Sequence, residues 1–153
     1  MAIIWRHIVA LVVLGSFTLA PPVEPHQRAD ELRVVSYNIK HGRGNDGVVD
    51  LERTAAVLRA QRPDIVGLQE VDDRAERSGK VAQAEQLGKS LGLHHAFGRF
   101  MGFQGGAYGM AILTRFPIEE TQDVRLPEGN EPRIALSVRV TLPDRSLLTI
   151  VNV

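Results

Sequence analysis

Pro63-Asp64-Ile65-Val66-Gly67-Leu68-Gln69-Glu70-Val71 decides how the rest of the chain is read. Proline lacks an amide donor and drives the residue before it out of the helical region, so Pro63 and Asp64 close the helix that precedes them. Ile65 to Leu68 is almost continuously apolar, the pattern of a strand buried on both faces of a sheet. Gln69 and Glu70 end that strand. A carboxylate is rarely buried unless it is paired or bound to a metal. Glu70 is therefore the first functional candidate.

Working outward from this strand, residues 51–61 put Leu51, Ala55 and Leu58 on one helical face, with Asp50 as the N-cap. Lys40 to Gly47 holds Gly42, Gly44, Asn45, Asp46 and Gly47 and reads as a loop. Before it, Leu32 to Ile39 is rich in β-branched and aromatic residues and reads as the first strand. Downstream, residues 72–80 are charged and irregular. A second helix is expected from Val81 to Leu91, with Ala84, Leu87 and Leu91 buried. Leu93 to Phe100 reads as a short strand, Met101 to Tyr108 as a glycine-rich loop, and Gly109 to Thr114 as another buried strand. Ile118 to Leu126 reads as an edge strand. From Arg133 to Leu142 apolar and polar residues alternate with a period of two, one face in and one out. Pro143-Asp144-Arg145 then turns the chain into a return strand. This order predicts α/β structure at the front and antiparallel strands behind, in a mixed sheet. The chain stops at Val153 inside an apolar strand with no closing turn, which raises the expectation of a truncated domain.

At 153 residues, 44% hydrophobic and 24% charged, the composition is that of one globular domain. The formal net charge is zero, so bulk charge draws the chain neither to nucleic acid nor to an anionic membrane. With no cysteine, disulfides, thiolate zinc sites and cysteine nucleophiles are excluded. Arg6 and His7 precede an apolar run from Ile8 to Ala20, followed by Pro21, Pro22 and Pro25. That is the pattern of a secretory signal peptide over residues 1–22, or of an N-terminal anchor if Pro21 prevents cleavage after Ala20. The run is short for a bilayer span. Residues 23–31 read as a linker, and the folded domain as 32–153. Export to the periplasm or beyond is the expected localisation, with membrane association if the segment is retained.

Asn38 and Glu70 each close a predicted strand, with one helix between them. Neighbouring strands would bring both side chains to one crevice, where open α/β sheets hold ligands. An amide oxygen and a carboxylate are hard donors suited to Mg²⁺, which keeps several waters and takes few protein ligands. The same two residues would equally serve as a capped strand end and a surface glutamate.

Ser36-Tyr37-Asn38-Ile39, Leu68-Gln69-Glu70-Val71 and Tyr108-Gly109-Met110-Ala111-Ile112-Leu113-Thr114-Arg115 together resemble the first motifs of the endonuclease/exonuclease/phosphatase superfamily. The resemblance covers roughly residues 32–153 in the right order. It implies the N-terminal half of a four-layer sandwich, two mixed sheets with helices outside. It also implies hydrolysis of a phosphate ester by water activated on Mg²⁺, or Mn²⁺. On this resemblance Glu70 is the metal-binding glutamate and Asn38 the asparagine beside it. Glu131-Pro132-Arg133 resembles the loop that presents an arginine to substrate phosphate, as suits a guanidinium fork; otherwise Arg133 is a solvated residue opening a strand. Lys40 and His41 stand where the family often places substrate contacts; Tyr108 is a further substrate-contact candidate, more a packing residue than a catalyst. His41 would equally be a solvated loop histidine. His94 and His95 alternate on a presumed strand and cannot chelate together.

Two departures from the family pattern follow. Met110 stands where many members have asparagine. The strand at Asn152-Val153 would lead into a catalytic histidine, and the later Gly-Asp-Phe-Asn-like and Asp-His motifs are absent, so no catalytic base is assigned in this chain. The expected partner is a phosphate ester, of lipid, nucleotide or sugar rather than DNA. The rival expectation is a non-catalytic binding or accessory protein using the same crevice.

Overall fold

The computed structural model describes residues 31–127, 129 and 131–153. The expected signal segment and nearly all of the linker lie outside the described residues. Leu51–Gln61 forms helix α1, with the Asp50 side chain accepting from the Arg53 amide at 3.0 Å. The helix ends at Arg62 in the left-handed conformation, immediately before Pro63. Strands β1 (Val34–Asn38) and β2 (Ile65–Asp73) flank it and pair in parallel, the geometry a crossover helix allows. Helix α2 (Gln83–Leu91) starts two residues later than periodicity predicts. Ala82 is extended and bridges Asp73, while the Val81 carbonyl accepts from the Arg74 amide, so both residues are committed to the end of β2.

β3 (His94–Phe103) and β4 (Gly106–Thr114) form a hairpin longer than expected. The glycine-rich loop predicted from Met101 to Tyr108 shrinks to Gln104-Gly105. Both have positive φ, as a two-residue primed turn requires, and the other glycines lie in the strands. The larger sheet has the order β1-β2-β4-β3 and is mixed. β5 (Ile118–Arg125), β6 (Ile134–Thr141) and β7 (Leu147–Asn152) make a second sheet that is antiparallel throughout.

Residues 31–153 make up one compact unit with two cores. Leu51, Leu58 and Leu87 of the helices cover Val66, Leu68, Ala111 and Leu113 on one face of the larger sheet. Ile65, Met110 and Ile112 on its other face meet Ile134, Leu136, Val138 and Val140 of β6. β2 is thus buried on both sides, as its unbroken apolar run implies, and β6 on one, as its alternation implies. The described residues build three layers of the sandwich: helices, larger sheet, smaller sheet.

Candidate metal and phosphate site

The site sits where β2 departs from regular geometry. Leu68 pairs with Ala111 and Val71 with Gly109, so Gln69 and Glu70 together oppose Met110 in a bulge. Glu70 has φ +56, a conformation that costs a residue with a Cβ and is often kept at functional positions. The strand does not end at Glu70, as sequence reading suggests, but continues to Asp73. The bulge re-aims the carboxylate inside the strand.

In the parallel register Asn38 lies opposite Gln69, and Asn38 Nδ2 donates to Glu70 Oε1 at 2.8 Å. Asn38 Oδ1 accepts from the Lys40 amide at 2.9 Å. One carboxylate oxygen is held in place, the other makes no hydrogen bond among the described residues, and Oδ1 keeps a further lone pair. This donor set, all hard oxygen, fits Mg²⁺ or Mn²⁺. Among the described residues no group of three or more His, Asp or Glu side chains converges to hold a metal.

Lys40 and His41 follow in a short left-handed turn with φ of +47 and +45. Burial and then the Arg77 charge hold the His41 pKa below its ordinary 6.5, against the opposing pull of Asp72 and Glu70. Tyr108 packs edge-on against Phe100, with ring centres 5.7 Å apart. Burial, followed by the Glu70 charge, pushes its phenol above 10.0, while Arg133 and Arg77 act the other way. Arg133 is exposed, pairs with Glu131 at 2.8 Å and lies 5.2 Å from the centre of the Phe100 ring. Asn38 thus contacts Glu70, the Glu70 charge acts on His41 and Tyr108, and Arg133 lies over the Phe100 ring that Tyr108 packs against. His94 and His95 lie on β3, paired with Thr114 and Leu113, away from this cluster. Met110 is buried in the core between the sheets beneath the bulge.

Sequence reading missed four supporting residues. Asp72 is fully buried and bound twice by Arg77, at 2.8 and 2.7 Å. Gln83 Oε1 accepts from the Asp72 amide at 3.0 Å, and its Nε2 donates to the His41 carbonyl at 2.8 Å, tying α2 to both loops of the site. Asn152 donates to the carbonyls of Leu68 and Ala111 and accepts from Gln69, joining the smaller sheet to the strand that carries Glu70. Gln83 did carry a signal, since it falls on the apolar face of α2 with Leu87. The Asp72–Arg77 pair carried none, because both lie in a charged stretch that reads as surface.

The Endonuclease/Exonuclease/phosphatase family matches residues 35–151, and the chain belongs to that family. A crystal structure of an endonuclease/exonuclease/phosphatase from Beutenbergia cavernae is similar to it at 30% identity and a TM-score of 0.70, over 79% of this chain and 37% of that one. Truncated TDP2 from Caenorhabditis elegans is similar at 22% identity and a TM-score of 0.61, over 80% of this chain and 45% of that one. ANGEL2, described as a 2',3'-cyclic phosphatase, is similar at 17% identity and a TM-score of 0.59, over 78% of this chain and 39% of that one. The chain thus spans less than half the length of each. No curated protein matches it.

Proposed function

We propose that residues 32–153 are the metal- and phosphate-holding portion of a Mg²⁺-dependent phosphoesterase. The observation that carries this reading is the Asn38–Glu70 hydrogen bond at the bulge. Family membership supports it, and so does the phosphatase activity named for the similar ANGEL2. Glu70 supplies the charge that compensates dehydration of the ion. Asn38 fixes the carboxylate, and Arg133 offers a guanidinium to the substrate phosphate. Lys40 and His41, in the turn that follows Asn38, are further substrate contacts. A divalent ion held there supplies Lewis-acid polarisation of the ester and activation of water. Glu70 cannot also be the general base while it is a ligand. Residues 32–153 alone are therefore proposed to be inactive, the base and the histidines of the family pattern not being among them.

The neutral net charge favours a lipid, nucleotide or sugar phosphate over DNA. Arg6-His7 and the apolar run after them support export, or membrane anchoring. A second reading is a non-catalytic binding or accessory protein that uses the same Asn38–Glu70 crevice.

The test is Mn²⁺ binding followed by electron paramagnetic resonance on the full chain. One saturable site is expected, lost in Glu70→Gln and weakened in Asn38→Ala. Equal binding in Glu70→Gln removes the metal assignment. The coding sequence past Val153 separates the two readings. A His-Leu-Asp-like continuation and a later Gly-Asp-x-Asn support the enzyme, and its product should hydrolyse a phosphodiester with Mg²⁺. Absence of both supports the binding protein.

A further inference from the structure

Arg77 is held more rigidly than neutralising Asp72 requires. Its Nε and Nη2 bind the two oxygens of the buried Asp72 carboxylate, and its guanidinium carbon lies 4.3 Å from the centre of the Phe103 ring and 5.2 Å from that of Tyr108. Asp72 is in turn fixed by Gln83 through its backbone amide. Of the five guanidinium protons, Asp72 takes one on Nε and one on Nη2. Nη1 makes no hydrogen bond among the described residues, and the side chain keeps 28% of its surface accessible. A planar cation clamped on one edge, stacked on aromatic rings and partly exposed loses little freedom when it meets an anion.

Its surroundings are those of the site. Tyr108 lies under the guanidinium, Asp72 stands two residues beyond Glu70, and Gln83 binds both the Asp72 amide and the His41 carbonyl.

We propose that Arg77 is a second anion-contacting residue of this site, presenting Nη1 and the free Nη2 proton to a phosphate oxygen of the substrate. Asp72 is then a positioning residue that holds the guanidinium plane. The inference rests on the phosphoesterase reading above. It widens the recognition surface beyond Arg133 to two guanidinium groups, one over Tyr108 and one over the Phe100 ring packed against it.

The experiment is arginine side-chain NMR on the full chain, titrated with inorganic phosphate and, separately, with a short-chain phosphatidic acid. The Arg77 Nε–H resonance is identified by its contacts to the Phe103 and Tyr108 ring protons, which needs no variant. It should shift saturably with at least one of the two phosphates, and the one with the larger shift indicates a free or a lipid phosphate. Arg77→Lys keeps the charge that Asp72 needs and should weaken that binding about tenfold, as expected for one lost charge-assisted contact. Arg139→Lys, on the outer face of the smaller sheet, should leave it unchanged. If the Arg133 resonance shifts while that of Arg77 stays still, Arg77 is only a structural partner of Asp72 and the inference fails with the phosphoesterase reading intact. If neither arginine responds, the inference fails, and Mn²⁺ binding decides the broader reading separately.

Discussion

Glu70 combines an unfavourable backbone with a needed side chain. Glycine adopts a φ of +56 without the Cβ clash, so Glu70→Gly should stabilise the fold by up to about 1 kcal/mol while abolishing Mn²⁺ binding. Thermal melts and ion titration on the same sample check both halves; a destabilised Glu70→Gly would show that the bulge depends on the carboxylate. His41 should give the fold a pH signature. Its folded pKa lies below 6.5, chiefly through burial and then the Arg77 charge, so the unfolded chain takes up the proton at higher pH than the folded one. Its contribution to stability is complete above 6.5 and is lost as the pH falls through the lowered folded value. His41→Asn, a residue that tolerates the left-handed turn, should lose less melting temperature than the parent between about pH 7 and about pH 5. Equal losses would remove His41 as the cause.

At the scale of elements, the site depends on how β4 is gripped from both sides. β2 bulges against it at Gln69-Glu70, and β3 shifts register between Arg99 and Met101. Gly98, one step before that shift, lets the second sheet approach closely: a Cβ there would stand 2.5 Å from Ile134 Cδ1. Gly98→Ala should cost about 1–3 kcal/mol through overpacking. Denaturant titration should show a lower midpoint with an unchanged slope. Asn152 carries a different load, since truncating it strands the buried carbonyls of Leu68 and Ala111. Asn152→Ala should cost about 1–3 kcal/mol and also weaken Mn²⁺ binding, because Gln69 and the bulge lose their anchor. Stability loss with unchanged ion affinity would confine Asn152 to a structural role.

For the molecule as a whole, β7 is the edge of its sheet among the described residues, with Leu147 64% and Val151 57% exposed. An open strand edge with apolar side chains is a template for pairing with another chain. The 24–153 segment should self-associate and bind an apolar dye, and Val151→Lys should reduce both. A monomeric, dye-free segment in size-exclusion chromatography would show that the edge is harmless. At the N-terminus, deleting residues 2–20 should keep a bacterially expressed product in the cytoplasm, while the full chain leaves it. Cytoplasmic retention of both would end the export proposal.

Local patterns in the sequence determined α1, the doubly buried start of β2 and the alternation of β6, because helix caps, apolar runs and a period of two are set by neighbours in the chain. Their strand-end positions made Asn38 and Glu70 candidates, and the resemblance of three short motifs gave them the role of a metal-binding pair. Tertiary structure alone decided the rest. The bulge at Glu70 arises from a register mismatch with β4, and the glycines of residues 102–109 joined strands because β3 and β4 could pair. Asp72 and Arg77 read as surface charges until the fold buried one and stacked the other on Phe103. Burial and long-range pairing depend on which distant residues meet, and no window of neighbouring residues contains that information.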